Sequence, residues 1–371
     1  GTADAIEMGT AIFGQLSSSA DLDYYTFTAA QASTLRLAFD VSTSSTYNNY
    51  FTASVMDAAG NFLSSHQVGS DLAFSTALDS AGTYYVQIQD SSFYNGEQYS
   101  LTGSLVNGTS GRETERNDTA ASADVIASGG SAKGQLWWKT DKDFYRVTTD
   151  GASTISVTFD APTNSSYNNY FKVSLQNASG TVLSSQETGK DIAFDTGVTS
   201  AGNYYIVIED SDFFITEEYS VSVSVNASEQ ASNTAETESN DTLATADTIE
   251  MGTAIFGQLS SSADLDYYTF TAAQASTLRL AFDVPTSSSY NLYFIASVID
   301  AAGNILSSHQ VGSDLAFSTA LNSGGTYYVQ IEDSSFYDGE QYSLTGSLSN
   351  GTSGRETEIN DTIATADTLV S

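Results

Sequence analysis

Apolar and polar residues alternate with a period of two along many short segments of the chain. Six such segments lie in its first part, at residues 25–28, 35–39, 51–56, 72–75, 84–88 and 99–105. Runs rich in Gly, Asn, Asp and Ser, which are residues typical of turns, separate several of them. Alternation of this kind indicates strands with one buried face. The pattern predicts an all-β protein with about eight antiparallel strands per unit, most similar to a jelly-roll-like β-sandwich.

The same pattern is repeated along the chain. Residues 9–41 recur unchanged at residues 252–284, and a divergent version of the same scheme lies between them. Repeats of about 120 residues have the size of domains. We therefore predict tandem sandwiches in the order A, B, A. Their bounds are residues 1–107 (unit 1), 111–227 (unit 2) and 234–350 (unit 3), followed by residues 354–371 (the tail), which start a further unit or form a free end.

An acidic motif stands at the start of unit 2, at the start of unit 3 and in the tail. It reads ETERND at residues 113–118, ETESND at residues 236–241 and ETEIND at residues 356–361. An Asp-x-Asp pair before two aromatic residues follows the first two motifs, as Asp141 and Asp143 and as Asp264 and Asp266. Calcium takes roughly six to eight oxygen ligands from carboxylates, amides and carbonyls. The two clusters together predict calcium sites at the domain junctions.

A simpler interpretation is that these carboxylates only solvate a linker and a turn, which is the usual role of charged side chains. Three occurrences in register favour a metal, because 45 Asp and Glu face only 11 Lys and Arg. Closely packed carboxylates without a cation would repel one another.

Composition narrows the classes of function. The net charge of −34 repels nucleic acid and anionic lipid and makes cations the natural partners. The chain has no cysteine, so disulfides and thiolate chemistry are excluded. No apolar run approaches the roughly 20 residues of a membrane span. No signal peptide opens the chain, and we expect a mature or internal part of a longer protein.

Each unit resembles a bacterial pre-peptidase C-terminal domain, a family that includes the collagen-binding domains of clostridial collagenases. The resemblance is carried by the ExExND motif, by DYYTF at residues 266–270 and by GTYYV at residues 325–329. It implies a calcium site built from the motif and from the Asp before the aromatic pair. The implied ligands are Glu113, Glu115, Asn117, Asp118 and Asp143 in unit 2 and Glu236, Glu238, Asn240, Asp241 and Asp266 in unit 3.

The other candidate metal ligands have weaker support from the resemblance. The collagen-binding members space their two acids as Asp-x-x-Asp, whereas this chain has Asp-x-Asp, so the resemblance leaves the roles of Asp141 and Asp264 open. The tail repeats the motif as Glu356, Glu358, Asn360 and Asp361.

Unit 1 has Asp21 and Asp23 but no acidic motif before them, so its site is incomplete unless another chain or a preceding segment fills it. The simplest interpretation is that the chain is one stretch of a longer alternating array. The alternative is head-to-tail assembly, in which the tail of one molecule completes unit 1 of the next.

Aromatic residues at predicted loops are candidates for contacts with a ligand or with another copy, either head to tail or laterally. The alternative is that they close the open ends of the sandwiches. The candidates are Tyr47, Tyr50, Phe93, Tyr94, Trp137, Trp138, Phe213, Phe214, Phe336 and Tyr337.

No HExxH, GxSxG or phosphate-binding glycine loop occurs, so we expect no enzymatic activity. The sequence predicts a secreted or cell-surface calcium-binding repeat protein that forms a structural or adhesive array or filament. The alternative is a tandem of binding modules that attaches a secreted hydrolase to a polysaccharide or a protein.

Overall fold

A computed structural model describes residues 3–41, 50–91, 96–109, 111–162, 170–227, 235–284, 293–335, 341–352, 354–358 and 360. Six candidate residues lie outside the described residues: Tyr47, Phe93, Tyr94, Phe336, Tyr337 and Asp361. The described part of the chain contains β-strands and no helix, which confirms the all-β prediction. It accordingly offers no helix able to cross a membrane.

The described residues of each unit form nine strands. Those of unit 1 are β1 (Asp4–Ala5), β2 (Ile12–Gln15), β3 (Leu22–Ala29), β4 (Ser33–Val41), β5 (Phe51–Met56), β6 (Phe62–Val68), β7 (Leu72–Leu78), β8 (Gly82–Asp90) and β9 (Gln98–Asn107). Those of unit 2 are β10 (Asp124–Val125), β11 (Gly130–Gly134), β12 (Lys142–Thr149), β13 (Ser153–Asp160), β14 (Phe171–Asn177), β15 (Val182–Thr188), β16 (Ile192–Val198), β17 (Gly202–Asp210) and β18 (Tyr219–Ala227). Those of unit 3 are β19 (Asp247–Thr248), β20 (Ala254–Gly257), β21 (Leu265–Ala272), β22 (Ser276–Asp283), β23 (Phe294–Asp300), β24 (Ile305–Val311), β25 (Leu315–Leu321), β26 (Gly325–Asp333) and β27 (Tyr342–Asn350).

The strands of each unit form one five-stranded and one four-stranded sheet. In unit 1 their orders are β1-β3-β8-β5-β6 and β2-β9-β4-β7, and units 2 and 3 repeat both orders. The pairings are antiparallel except that the first strand of each unit runs parallel to the third. These first strands have only two residues, which is too short to show alternation, and this explains why the pattern predicted eight strands and not nine.

The inward faces of the two sheets enclose one core per unit. In unit 2 the alternation along β13 buries Ile155, Val157 and Phe159. Two fully buried tyrosines, Tyr145 and Tyr219, stand at one end of this core, with their hydroxyl oxygens 2.8 Å apart. Buried hydroxyl groups need polar partners, so the apolar core ends at this pair of tyrosines.

Glycine is required where the backbone passes over this tyrosine pair. A Cβ atom on Gly134 would collide with the hydroxyl oxygens of both Tyr145 and Tyr219. The same three-residue arrangement recurs in the other units, as Gly14 over Tyr25 and Tyr99 and as Gly257 over Tyr268 and Tyr342. Each unit therefore presents two polar groups at the same end of its core.

Candidate metal centre

The acidic motif lies along the unit that follows it. In unit 2 the Glu113 N–H donates to the Lys133 carbonyl on β11 (2.9 Å), and the Asn117 carbonyl accepts the Phe144 N–H on β12 (3.1 Å). Unit 3 repeats both contacts. The Glu236 N–H donates to the Phe256 carbonyl (2.8 Å), and the Tyr267 N–H donates to the Asn240 carbonyl (3.1 Å). The motif is thus held as an added edge segment, with its side chains facing the first long strand of the unit.

An aspartate that is partly buried in unit 2 and buried in unit 3 fixes the motif further. The Thr114 N–H and hydroxyl donate to the two carboxylate oxygens of Asp124 at 2.7 and 2.6 Å. Thr237 and Asp247 form the same pair in unit 3, at the same two distances. Sequence reasoning missed these aspartates, although each follows its motif at the same spacing, ten residues after the threonine.

The motif and the Asp-x-Asp pair meet in two overlapping groups of carboxylates at each junction. In unit 2 the groups are Glu113, Glu115 and Asp143, and Glu115, Asp118 and Asp141. In unit 3 they are Glu236, Glu238 and Asp266, and Glu238, Asp241 and Asp264. Within each group one oxygen per residue lies within 4.8 Å of the others. Oxygens around one calcium ion, at about 2.4 Å each, can be no farther apart than about twice that distance, so each group fits one coordination shell.

Several of these oxygens are buried without a partner. Glu115, Asn117 and Asp143 are 9%, 0% and 0% exposed. No hydrogen-bond donor of the described residues reaches either Glu115 oxygen, Asn117 Oδ1 or Asp143 Oδ1. In unit 3, Asn240 Oδ1 and Asp266 Oδ1 are likewise buried without a hydrogen-bond partner among the described residues. A buried oxygen without a donor costs about 1–3 kcal/mol. Such a convergence of acceptors fits a cation and is otherwise unfavourable.

Burial and mutual repulsion raise the pKa of these carboxyl groups. Burial raises the pKa of Glu113 to about 8, and burial together with Glu113 and Asp141 raises the pKa of Glu115 to about 11. The pKa of Asp141 rises to about 7 and that of Glu238 to about 9, in both cases mainly through burial. In unit 2, the ion pairs of the described residues reach this cluster only through Arg116, which contacts Asp118 at 3.3 Å on the exposed side. Positive charge is therefore missing from the buried side.

Hydrogen bonds from unit 2 orient both oxygens of Glu113 and one oxygen of Asp143. The Tyr145 hydroxyl donates to Glu113 Oε2 (2.8 Å), and the Gln135 N–H donates to Glu113 Oε1 (2.6 Å). The Tyr219 hydroxyl donates to Asp143 Oδ2 (2.5 Å), which leaves Asp143 Oδ1 for another ligand. Unit 3 repeats the contacts through Tyr268 and Tyr342.

The structure brings Asp141 and Asp264 into the cluster, although the resemblance left their roles open. Asp141 Oδ2 accepts the Trp137 N–H (2.8 Å), and Asp264 Oδ2 accepts the Ser260 N–H (2.6 Å). Asp141 Oδ1 is buried without a partner among the described residues. The Asp-x-Asp spacing on a strand end therefore supplies one ligand to each of the two groups.

Glutamine side chains bind the preceding unit next to each carboxylate cluster. Gln135 Nε2 donates to the Ser65 carbonyl (3.0 Å), and Gln135 Oε1 accepts the Ser65 N–H (3.2 Å). At the second junction Gln258 Nε2 donates to the Ser185 carbonyl (3.1 Å). Both glutamines are buried. Sequence reasoning missed them, because a Gln after Gly carries no chemical pattern of its own.

The candidate aromatic residues have different surroundings. Trp137 stacks on Phe62 of unit 1, with ring centroids 5.2 Å apart, and so belongs to the first junction. Trp138 and Phe213 are 58% and 52% exposed on unit 2. Phe214 lies edge-on to Trp138, and Tyr50 packs against the core of unit 1.

The second motif lies close to Gly197 of unit 2, and a substitution of this glycine tests how close the two are. The Gly197 N–H donates to the Glu236 carbonyl (3.2 Å). A Cβ atom there would lie 2.7 Å from that oxygen and 2.9 Å from the Ala235 carbonyl oxygen. We expect Gly197→Ala to push the segment off β16, at a cost of about 1–3 kcal/mol, and to weaken calcium binding at the second junction in a calorimetric titration.

The matched control is Gly202→Ala, whose Cβ meets no atom within 4 Å. Equal calcium affinity of the two variants would contradict this docking.

Similarity to known proteins is distant. The chain is similar to the pre-peptidase C-terminal domain of a collagenase from Bacillus anthracis, with 21% identity over 28% of this chain and 95% of that one, and a TM-score of 0.24. It is also similar to the tandem CBM51 modules of a family 98 glycoside hydrolase from Streptococcus pneumoniae, with 9% identity, coverage of 59% and 84%, and a TM-score of 0.19. A third structure is the triple jelly-roll protein of an archaeal virus turret, with 10% identity, coverage of 93% and 91%, and a TM-score of 0.24.

No protein-family model matches the chain, and no curated protein matches it. The resemblance to pre-peptidase C-terminal domains, noted from the motifs, thus stands as a distant likeness and not as family membership. Likenesses this low show no function for this chain.

Proposed function

We propose that the chain is a non-catalytic calcium-binding repeat protein of the extracellular space, whose calcium ions stiffen the junctions of a structural or adhesive array. The observation that carries the proposal is the pair of carboxylate clusters with buried, unpartnered oxygens. Each cluster is built partly from a linker motif and partly from the following unit. A metal bound there joins the two.

Calcium suits these donors better than other common ions. The ligands are carboxylates and the Asn117 and Asn240 side-chain oxygens, with no His or Cys in the groups, which favours a hard cation. The irregular arrangement favours calcium over magnesium, which needs near-ideal octahedral geometry. Because Glu115 and Glu238 each belong to two groups, we propose two ions per junction, bridged by the shared glutamate.

Stiffening follows from where the first motif is attached. Its neighbour Arg112 donates from Nη1 to the Ser75 carbonyl of unit 1 (3.2 Å), while Glu113 pairs with Lys133 of unit 2. Arg116 Nη1 also reaches Asn61 Oδ1 of unit 1 (3.1 Å). A metal that holds Glu113 and Glu115 against unit 2 would also hold their neighbours Arg112 and Arg116 in place. These two arginines are the residues that contact unit 1. This shortens the part of the linker that is free to rotate.

An extracellular setting suits this chemistry. Extracellular modules bind calcium in the range of about 0.1–1 mM, where the ion acts as a permanent structural component and not as a signal. The excess of negative charge and the lack of cysteine are compatible with that setting.

The test is thermal unfolding in calcium and in excess chelator, with bound metal counted by mass spectrometry under native conditions. We expect about four ions per chain, two at each junction, and a higher melting temperature in calcium. At a calcium concentration about 100 times Kd, each site adds about 2.7 kcal/mol to the free energy of unfolding. Small-angle X-ray scattering should show a narrower distribution of distances between units in calcium than in chelator. No bound metal and no change in melting temperature would overturn the proposal.

A further inference from the structure

Unit 1 contains the receiving half of the metal centre. The Tyr25 and Tyr99 hydroxyl oxygens are 2.8 Å apart, and the Tyr99 hydroxyl donates to Asp23 Oδ2 (2.5 Å). Asp21 Oδ2 accepts the Ser17 N–H (2.7 Å). These contacts match those of Tyr145, Tyr219, Asp143 and Asp141 in unit 2, so the acidic pair of unit 1 is already oriented for an incoming motif.

Among the described residues, no segment covers in unit 1 the surface that the motif covers in units 2 and 3. Asp23 is partly exposed, whereas Asp143 and Asp266 are 0% exposed. Gln15 is exposed, whereas the matching Gln135 and Gln258 are buried.

The edge strand β2 is open in the same way. Phe13 on β2 is 74% exposed and occupies the position of Lys133 and Phe256, whose carbonyls accept the motif N–H groups. An edge strand with free backbone groups is a template for an added segment.

Unit 3 and the tail present the complementary half. Arg355 Nη1 donates to the Ser318 carbonyl (3.3 Å), as Arg112 Nη1 donates to the Ser75 carbonyl (3.2 Å) at the first junction. The tail therefore leaves unit 3 along the same course as the first linker. Its motif residues Glu356, Glu358 and Asn360 follow at the spacing of Glu113, Glu115 and Asn117.

We propose that calcium joins copies of this chain head to tail, with Glu356, Glu358 and Asn360 of one copy completing the half-site of unit 1 in the next. This inference rests on the proposed calcium function. The occupant is a second copy because each half already has a counterpart at a junction inside the chain. The end of an A unit meets unit 2 at the first junction, and the receiving face of an A unit meets unit 2 at the second. Gln15 of one copy then reaches the Ser308 carbonyl of the other, as Gln135 reaches Ser65 and Gln258 reaches Ser185.

The test is sedimentation velocity of the chain of residues 1–371 in calcium and in chelator. Asp23→Asn removes a ligand from the receiving half, and Glu358→Gln removes one from the tail. Each variant alone should stay monomeric in calcium. Their mixture should form dimers and nothing larger, because the intact tail of the first binds the intact unit 1 of the second. The wild type should form species of twofold mass and above, and Glu7→Gln, an exposed substitution in unit 1, should behave like the wild type.

The outcomes separate the two proposals. A wild type that stays monomeric while calcium binds and raises its melting temperature overturns the head-to-tail inference and leaves the junction sites standing. Association that persists in chelator, or in both single variants, also overturns it. Absence of both metal binding and association overturns the proposed function as well. Because Glu358 lies in the tail, its substitution leaves the three cores intact and separates loss of association from loss of folding.

Discussion

Glu238→Gln is expected to destabilise the protein in calcium and to stabilise it in excess chelator. Glu238 belongs to both carboxylate groups of unit 3. In calcium the substitution removes a charged ligand that both ions share, and each lost site costs about 2.7 kcal/mol at a calcium concentration 100 times Kd. In chelator it removes a carboxylate whose pKa is raised to about 9 by burial and by Asp266, Asp264 and Asp241. The reversal of sign is specific to a metal ligand.

The measurement is the melting temperature of wild type and variant in both media, together with the count of bound ions. The count should fall from about four to about two, since the first junction keeps Glu115. Glu250→Gln is the matched control, because Glu250 is an exposed glutamate of the same unit. A variant that is less stable in both media would indicate a role in packing alone.

Metal-free protein is expected to become more stable as the pH is lowered from about 9 to about 5. The ordinary pKa of Glu is 4.5, whereas that of Glu113 rises to about 8 and that of Glu238 to about 9 in the folded chain. Between these values the folded chain binds more protons than the unfolded chain. Its free energy of unfolding therefore falls as the pH rises, by up to about 1.4 kcal/mol per pH unit for each such group.

Calcium should reverse this dependence. Bound metal keeps the carboxylates ionised in the folded chain, so acid must displace the metal and stability is lost as the pH falls. The measurement is urea unfolding across pH 5 to 9 with and without calcium. Parallel pH profiles in the two media would contradict a carboxylate metal site.

Much of the fold was predictable, because it follows from the local alternation of apolar and polar residues and from the sequence repeat. Alternation along segments such as residues 35–39 gives strands of one buried face, and the repeated sequence gives the number of units. The short first strands were not predictable, since two residues are too few to show alternation and their parallel pairing depends on tertiary contact with the third strand of the unit.

The sequence predicted which residues form the candidate site but not how they are arranged. Oxygen-rich spacing pointed to Glu115 and Asp143, but only the structure shows that Glu115 is shared by two groups. The tyrosines that orient the carboxylates come from strands far apart in sequence, such as Tyr145 on β12 and Tyr219 on β18. Pairing over such separations leaves no local trace in one sequence.

The order A, B, A also bears on how the chain avoids misassembly while it folds. Strands β4 and β22 share the sequence STLRLAFD, so either could complete the sheet of the other unit. Unit 2 separates them, and its own strand β13 reads STISVTFD. The effective concentration of two segments falls steeply with the length of chain between them. Exchange of strands between neighbouring domains is a common trap for repeat proteins, and a divergent middle unit keeps interchangeable strands from being neighbours.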